Sequence, residues 1–160
     1  MAQAKTNAQR MLEKERIPYL PHTYQTGDGQ IDGVSVAHKM GIDPAVVFKT
    51  LVTRGASKEI YVFVVPVERE LNLKAAAKSV GEKSIEMIAV REITPLTGYV
   101  RGGCSPVGMK KRYPTVVDES ARSRERIVVS AGRIGAQVEL SPRDLCALVR
   151  GRFAPVSKEA

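Results

Sequence analysis

The run Gly102-Gly103-Cys104-Ser105-Pro106-Val107-Gly108-Met109-Lys110-Lys111-Arg112 sets three glycines, a thiol and a proline directly before three consecutive cations. Glycine lets backbone approach a ligand closely, and proline stiffens the turn. Successive N–H groups in such a loop can cradle an anion or a developing oxyanion. Lys110, Lys111 and Arg112 suit phosphate. Nearby cations could lower the Cys104 pKa and make it a thiolate. No histidine lies close in sequence, however, and a thiol in a loop is not by itself a nucleophile.

Lys49 is the second candidate. It interrupts Val47-Phe48-Lys49-Thr50-Leu51-Val52, a run otherwise apolar or β-branched. With strand alternation it shares a face with Val47 and Leu51, and a cation on an apolar face is costly unless an anion meets it. Other chemistries lack their patterns. His22 and His38 are isolated, with no Cys-x-x-Cys and no His-Glu-x-x-His, so no metal site is expected. Neither a Gly-x-Ser-x-Gly elbow nor a standard nucleotide-binding glycine motif occurs, so no bound cofactor is expected either.

The elements that must carry these residues can be read from their punctuation. Thr6 with Gln9 forms a capping box for a helix whose packed face is Ala8, Met11, Leu12 and Glu15. Pro18 and Pro21 lead into an extended segment through Tyr24, and Gln25 to Gly33 reads as a loop. A short helix from about Val34 to Met40 precedes Asp43-Pro44, which starts another helical turn. Strands are predicted at Val47 to Thr53 and Ile60 to Val65. Asn72 and Gly81 bracket a helix, and Ile93 to Thr97 holds a helical turn. Further strands fall at Thr115 to Val117, Ile127 to Ser130 and Gln137 to Leu140, and Ser141-Pro142 starts a last helix to about Arg150. Strands in pairs with helices between them give an α+β domain, one unit over residues 1–160.

Composition narrows the partners. The chain carries 25 basic and 17 acidic side chains, a formal charge of +8, which favours an anionic partner such as nucleic acid. Tryptophan is absent and aromatics are scarce, which argues against a single-strand binder built on stacking platforms. Two cysteines make no disulfide framework, and Cys146 reads as a buried filler. No apolar run approaches the ~20 residues of a membrane span, and residues 1–16 hold no signal-like apolar core, so a cytoplasmic protein is expected.

Taken in order, these blocks resemble the YbaK/EbsC family of aminoacyl-tRNA deacylases. The resemblance rests on Ile17-Pro18-Tyr19 with His22-Thr23-Tyr24, Gly41-Ile42-Asp43-Pro44 before Phe48-Lys49-Thr50-Leu51, and the stretch Leu71 to Gly81. It continues through Gly98-Tyr99 and the glycine loop to Val129-Ser130-Ala131-Gly132-Arg133 and Val138 to Leu145. The pattern is most similar to the free-standing Cys-tRNA(Pro) deacylase branch. It implies a central mixed, partly barrel-like sheet with flanking helices, and hydrolysis of cysteine mischarged onto tRNA(Pro). A synthetase pocket cannot strongly reject a near-isostere by binding alone, so a second hydrolytic site acts in trans.

The resemblance implies that the substrate's own thiol attacks its ester, so that the protein positions and stabilises the reacting groups. Lys49 would hold the 3′ end, and Gly102 and Gly103 would meet the oxyanion. Tyr24, Ile31, Thr50, Tyr99, Ser130, Ala131 and Gly132 would line the substrate site, and Lys110, Lys111 and Arg112 would meet acceptor-stem phosphates. Ile31 stands where an aromatic pocket residue is expected, and Gln25 to Val34 is the least family-like segment. The implied partners are mischarged tRNA(Pro) and prolyl-tRNA synthetase. Two alternatives are a deacylase for Ala-tRNA(Pro) or another mischarged tRNA, and a non-catalytic tRNA- or protein-binding module.

Overall fold

Helix α1 (Asn7–Lys14) begins at the expected capping box: Gln9 N donates to Thr6 Oγ1 at 3.1 Å, and Thr6 N donates to Gln9 Oε1 at 2.9 Å. Its packed stripe is narrower than the sequence implies. Ala8 and Leu12 are fully buried, whereas Met11 and Glu15 face solvent, because a two-turn helix covers the core only with its i, i+4 pair. The chain is described by a computed structural model over residues 4–160, so residues 1–3 of the expected domain lie outside the described residues.

Strand β1 (Leu20–Thr23) follows, then α2 (Gly33–Met40), a 3₁₀ turn at Pro44–Val46, and the hairpin β2 (Phe48–Gly55) and β3 (Ile60–Pro66). Next come β4 (Arg69–Leu71), α3 (Leu73–Val80), β5 (Ile85–Met87), α4 (Ile93–Thr97), β6 (Thr115–Asp118), β7 (Ile127–Arg133) and β8 (Ala136–Leu140). Helix α5 (Pro142–Leu148) leads to β9 (Arg152–Ala154) and β10 (Ser157–Glu159), and neither of these two strands nor β4 is expected from the sequence. Asp32, Asn72 and Ser141 cap α2, α3 and α5 through their side-chain oxygens.

Five strands in the order β5-β2-β3-β6-β9 form a mixed sheet, antiparallel around β2 and parallel at β3–β6 and β6–β9. A second sheet, β1-β8-β7, is antiparallel, and a parallel bridge from Val47 to Val128 joins the two in partial barrel fashion. Strand β10 pairs with β4. Alternation on β3 separates two cores. Val64 points with Val117, Val129 and Leu140 toward α1 and α5, while Phe63 and Val65 point with Ala76 and Val156 toward α3. The fold is therefore α+β, as expected. Among the described residues no helix is long and apolar enough to cross a membrane.

Candidate active site

A cavity of about 460 Å³ opens between β2 and the second sheet, next to the Val47–Val128 bridge. Strand β2 and the residue before it lend six consecutive residues, Val47–Val52, to its lining, more than the alternate-residue face that a simple strand reading assigns. Tyr24, Ser130, Gln137, Arg101 and Cys104 also line it, and Ile31 lies against Gly102, where a Cβ would come within 3.1 Å of Ile31 Cδ1. Lys49 is half-buried here. Burial pulls its pKa below the ordinary lysine value, and the field of Glu70 opposes that shift. No carboxylate lies within 4.0 Å of its ammonium among the described residues, so the cation is left for a ligand.

Three buried polar atoms of this lining have no hydrogen-bond partner among the described residues: Tyr24 OH, Thr50 Oγ1 and Gln137 Oε1. Such groups are normally satisfied, and leaving one buried and bare costs ~1–3 kcal/mol. Three of them in the lining that also holds a half-buried cation mark a surface shaped for a polar ligand. Gln137 is the residue that sequence reading missed; its strand was legible, but its position opposite Ser130 on β7 and His22 on β1 is set by long-range register. Arg101, at the cavity mouth, was also missed, although it directly precedes the glycine pair.

The loop that carries Ile31 is tied down by Lys39 of α2. Its ammonium donates to Gln25 O at 2.7 Å, Asp28 Oδ1 at 2.7 Å and Gln30 O at 2.8 Å, and lies 6.0 Å from the Tyr24 ring centroid. One cation thus gathers both ends of the loop and holds Ile31 against the cavity beside Tyr24.

Other expected site residues lie elsewhere. Tyr99 is buried outside the lining: its hydroxyl donates to Val107 O at 2.5 Å, and burial pushes its pKa up to about 12. A Cβ on Gly132, whose φ is +105°, would come within 2.8 Å of the Tyr99 ring, so Gly132 and Tyr99 form a packing pair beneath the site. Ala131 is fully buried in the core, and neither it nor Gly132 borders the cavity. Gly103 is not an oxyanion donor, because its N–H already donates to Val100 O at 3.0 Å. A Cβ there would meet Ile134 N at 2.8 Å, which explains the glycine by close backbone packing. Gly102 borders the cavity, and its N–H has no partner among the described residues.

The thiolate expectation for Cys104 is overturned. Burial pushes its thiol up to about 11, with a weaker opposing contribution from a hydrogen bond with Thr97. Lys110, Lys111 and Arg112 are exposed and absent from the lining; Lys111 and Arg112 border a separate shallow groove with Met109 and Tyr113. Cys146 is buried, as expected.

Comparison with known proteins agrees with this geometry. The family model described as aminoacyl-tRNA editing domain matches residues 32–148. A protein of Enterococcus faecalis that carries the name Cys-tRNA(Pro)/Cys-tRNA(Cys) deacylase EbsC is 43% identical over 155 residues, covering 97% of this chain and 94% of that protein. Among solved structures, a hypothetical protein superposes with a TM-score of 0.87 at 24% identity, covering 96% of this chain and 100% of the other. A structure described as a trans-editing enzyme for prolyl-tRNA synthetase gives 0.83 at 23% identity, covering 98% and 99%. These two likenesses carry the fold, while the family model and the bacterial relative carry the lineage: the chain belongs to the aminoacyl-tRNA editing domain family.

Proposed function

We propose that the chain deacylates Cys-tRNA(Pro) in trans, with the substrate's own thiol as nucleophile. The observation that carries this reading is a lining rich in binding groups and poor in reactive ones. Lys49, Tyr24, Thr50, Gln137 and the Gly102 N–H all offer polar contacts, yet the lining holds no histidine and no carboxylate among the described residues. Its single thiol, Cys104, is held protonated by burial. A site without an activated nucleophile suits a substrate that brings one.

In this mechanism the substrate sulfur attacks the ester carbonyl and the C–O bond to the ribose breaks. The 3′ oxygen takes up a proton as it leaves, and the thiol proton is released. The four-membered thiolactone then takes up water and opens to free cysteine. Lys49 and the Gly102 N–H stabilise the negative charge that develops on oxygen, and Tyr24, Thr50 and Gln137 orient the aminoacyl group. Mischarged tRNA(Pro) is the partner, and prolyl-tRNA synthetase is its source and a candidate member of a ternary complex.

Deacylation of Cys-, Ser- and Ala-tRNA(Pro) by wild type and Lys49→Ala tests the reading. Loss of cysteine alone, dependent on Lys49, is expected. Equal loss of serine or alanine would overturn the substrate-thiol step.

A further inference from the structure

A second concave surface lies apart from the cavity. Arg69, Arg122 and Arg143 line a groove of about 730 Å³ together with Ser120, Ser123 and Ser157. None of the three arginines forms an ion pair among the described residues. Two are held in place by neutral groups. Arg69 Nε donates to Ser157 Oγ at 2.8 Å, and the Arg122 guanidinium sits 5.4 Å from the Phe153 ring centroid. The buried acid of the groove, Asp118, is already saturated: its Oδ1 accepts from Val156 N and Ser157 N at 3.0 Å each, and its Oδ2 accepts from Ser120 Oγ at 2.6 Å and Ser120 N at 3.3 Å. Glu119 is the other carboxylate of the lining, so the cations outnumber the acids that could neutralise them.

The sheet relates this groove to the cavity. Thr50 pairs with Val64, Val64 with Val117 and Val117 with Phe153, so one row crosses β2, β3, β6 and β9. Lys49 precedes Thr50 on a strand antiparallel to β3, and Asp118 follows Val117 on a strand parallel to it; both therefore flank the row at the same end of the sheet. Two strand spacings separate them, about 10 Å.

We propose that this groove binds the phosphodiester backbone of the RNA whose 3′ end occupies the cavity, at phosphates a few nucleotides from the ester. Arginines whose terminal N–H groups have no partner among the described residues, beside the hydroxyls of Ser123 and Ser157, recognise phosphate oxygens without reading bases. The proposal rests on the deacylase reading for the identity of the RNA. The groove's chemistry, guanidinium and hydroxyl donors facing an anion, stands apart from it.

The test compares wild type with an Arg122→Gln/Arg143→Gln double variant on Cys-tRNA(Pro) and on 3′-O-cysteinyladenosine, which carries no phosphate. For the tRNA, kcat/KM is expected to fall about tenfold, and its log–log salt dependence to flatten by about one per arginine removed. Cysteinyladenosine hydrolysis is expected to stay within about twofold, since each lost contact acts on phosphate alone. Arg143→Gln alone, at a residue with no side-chain hydrogen bond or ion pair among the described residues, is expected to give about half of the slope change. Unchanged tRNA kinetics, or equal losses on both substrates, would overturn the proposal. Binding of uncharged tRNA(Pro), followed by fluorescence anisotropy, separates the two readings. A wild type that hydrolyses neither ester but binds the tRNA with a salt slope reduced in the variant sinks the deacylase reading and keeps the groove. A variant that keeps tRNA affinity and loses affinity for poly-glutamate assigns the groove to a protein partner and overturns the proposal.

Discussion

Two parts of the candidate site treat their polar groups in opposite ways. The segment from Thr94 to Gly108 closes most of its hydrogen bonds internally: Thr94 Oγ1 to Tyr99 O, Tyr99 OH to Val107 O, Val107 N to Ser105 Oγ, and Gly103 N to Val100 O. The wall built from β2, β8 and the residue after β1 leaves Tyr24 OH, Thr50 Oγ1 and Gln137 Oε1 bare, and Lys49 without a counterion within 4.0 Å among the described residues. The difference teaches that the glycine loop is chiefly a shaped floor, whereas the strand wall is where ligand binding energy is available. A group already satisfied by the protein has little to offer a substrate; a buried unsatisfied one has much.

The sharpest way to break that contrast is Lys49→Ala. Loss of a stabilising donor at developing charge costs about 10²–10³ in kcat, and single-turnover deacylation reads it directly. Thr50→Val and Tyr24→Phe come next. Each is expected to lower kcat/KM about tenfold while leaving thermal stability equal or higher, because each removes a buried group that has no partner among the described residues. A fall in both activity and stability would show that these hydroxyls serve the structure instead.

The loop should behave in the reverse sense. Tyr99→Phe leaves Val107 O without its donor and should destabilise by ~1–2 kcal/mol in a denaturant titration. Gly103→Ala forces a Cβ toward Ile134 N and should cost ~1–3 kcal/mol. In both, the protein that remains folded should turn over at nearly the wild-type rate.

Cys104→Ala gives the smallest expected change in activity, less than about threefold, since a protonated thiol supplies no nucleophile. Its titration supplies a pH test. The folded pKa, about 11, lies above the ordinary 9.0, so this thiol's contribution to stability is fully present below pH 9.0 and is lost as pH rises through about 11. Iodoacetamide labelling of Cys104 in the folded protein should accelerate over that same window; fast labelling at pH 7 would contradict it.

Much of this architecture was legible where the signal is local. Thr6 with Gln9, Asn72 with Gly81 and Ser141 with Pro142 act through neighbours three or fewer residues away or at a helix end, and each appears as read. Strands β4, β9 and β10 are three residues long and are formed by pairing with distant partners, so no periodicity announces them. The site divides in the same way. Lys49 stands out chemically within an apolar run, but whether Tyr99 faces a cavity or a core, and that Gln137 faces one, depends on contacts across the fold. The Cys104 expectation failed because sequence proximity to three cations says nothing about which way they point.

The four donors around Asp118 also set an order of events during synthesis. Two of them, the amides of Val156 and Ser157, lie 38 and 39 residues downstream. Until those residues have left the ribosome, the carboxylate at the end of β6 lacks half of its donors, and burying it so poorly solvated is unfavourable. A nascent chain stalled before Val156 should therefore hold this end of the sheet open and be cut there by proteases, so the part of the molecule that carries the arginine groove matures last.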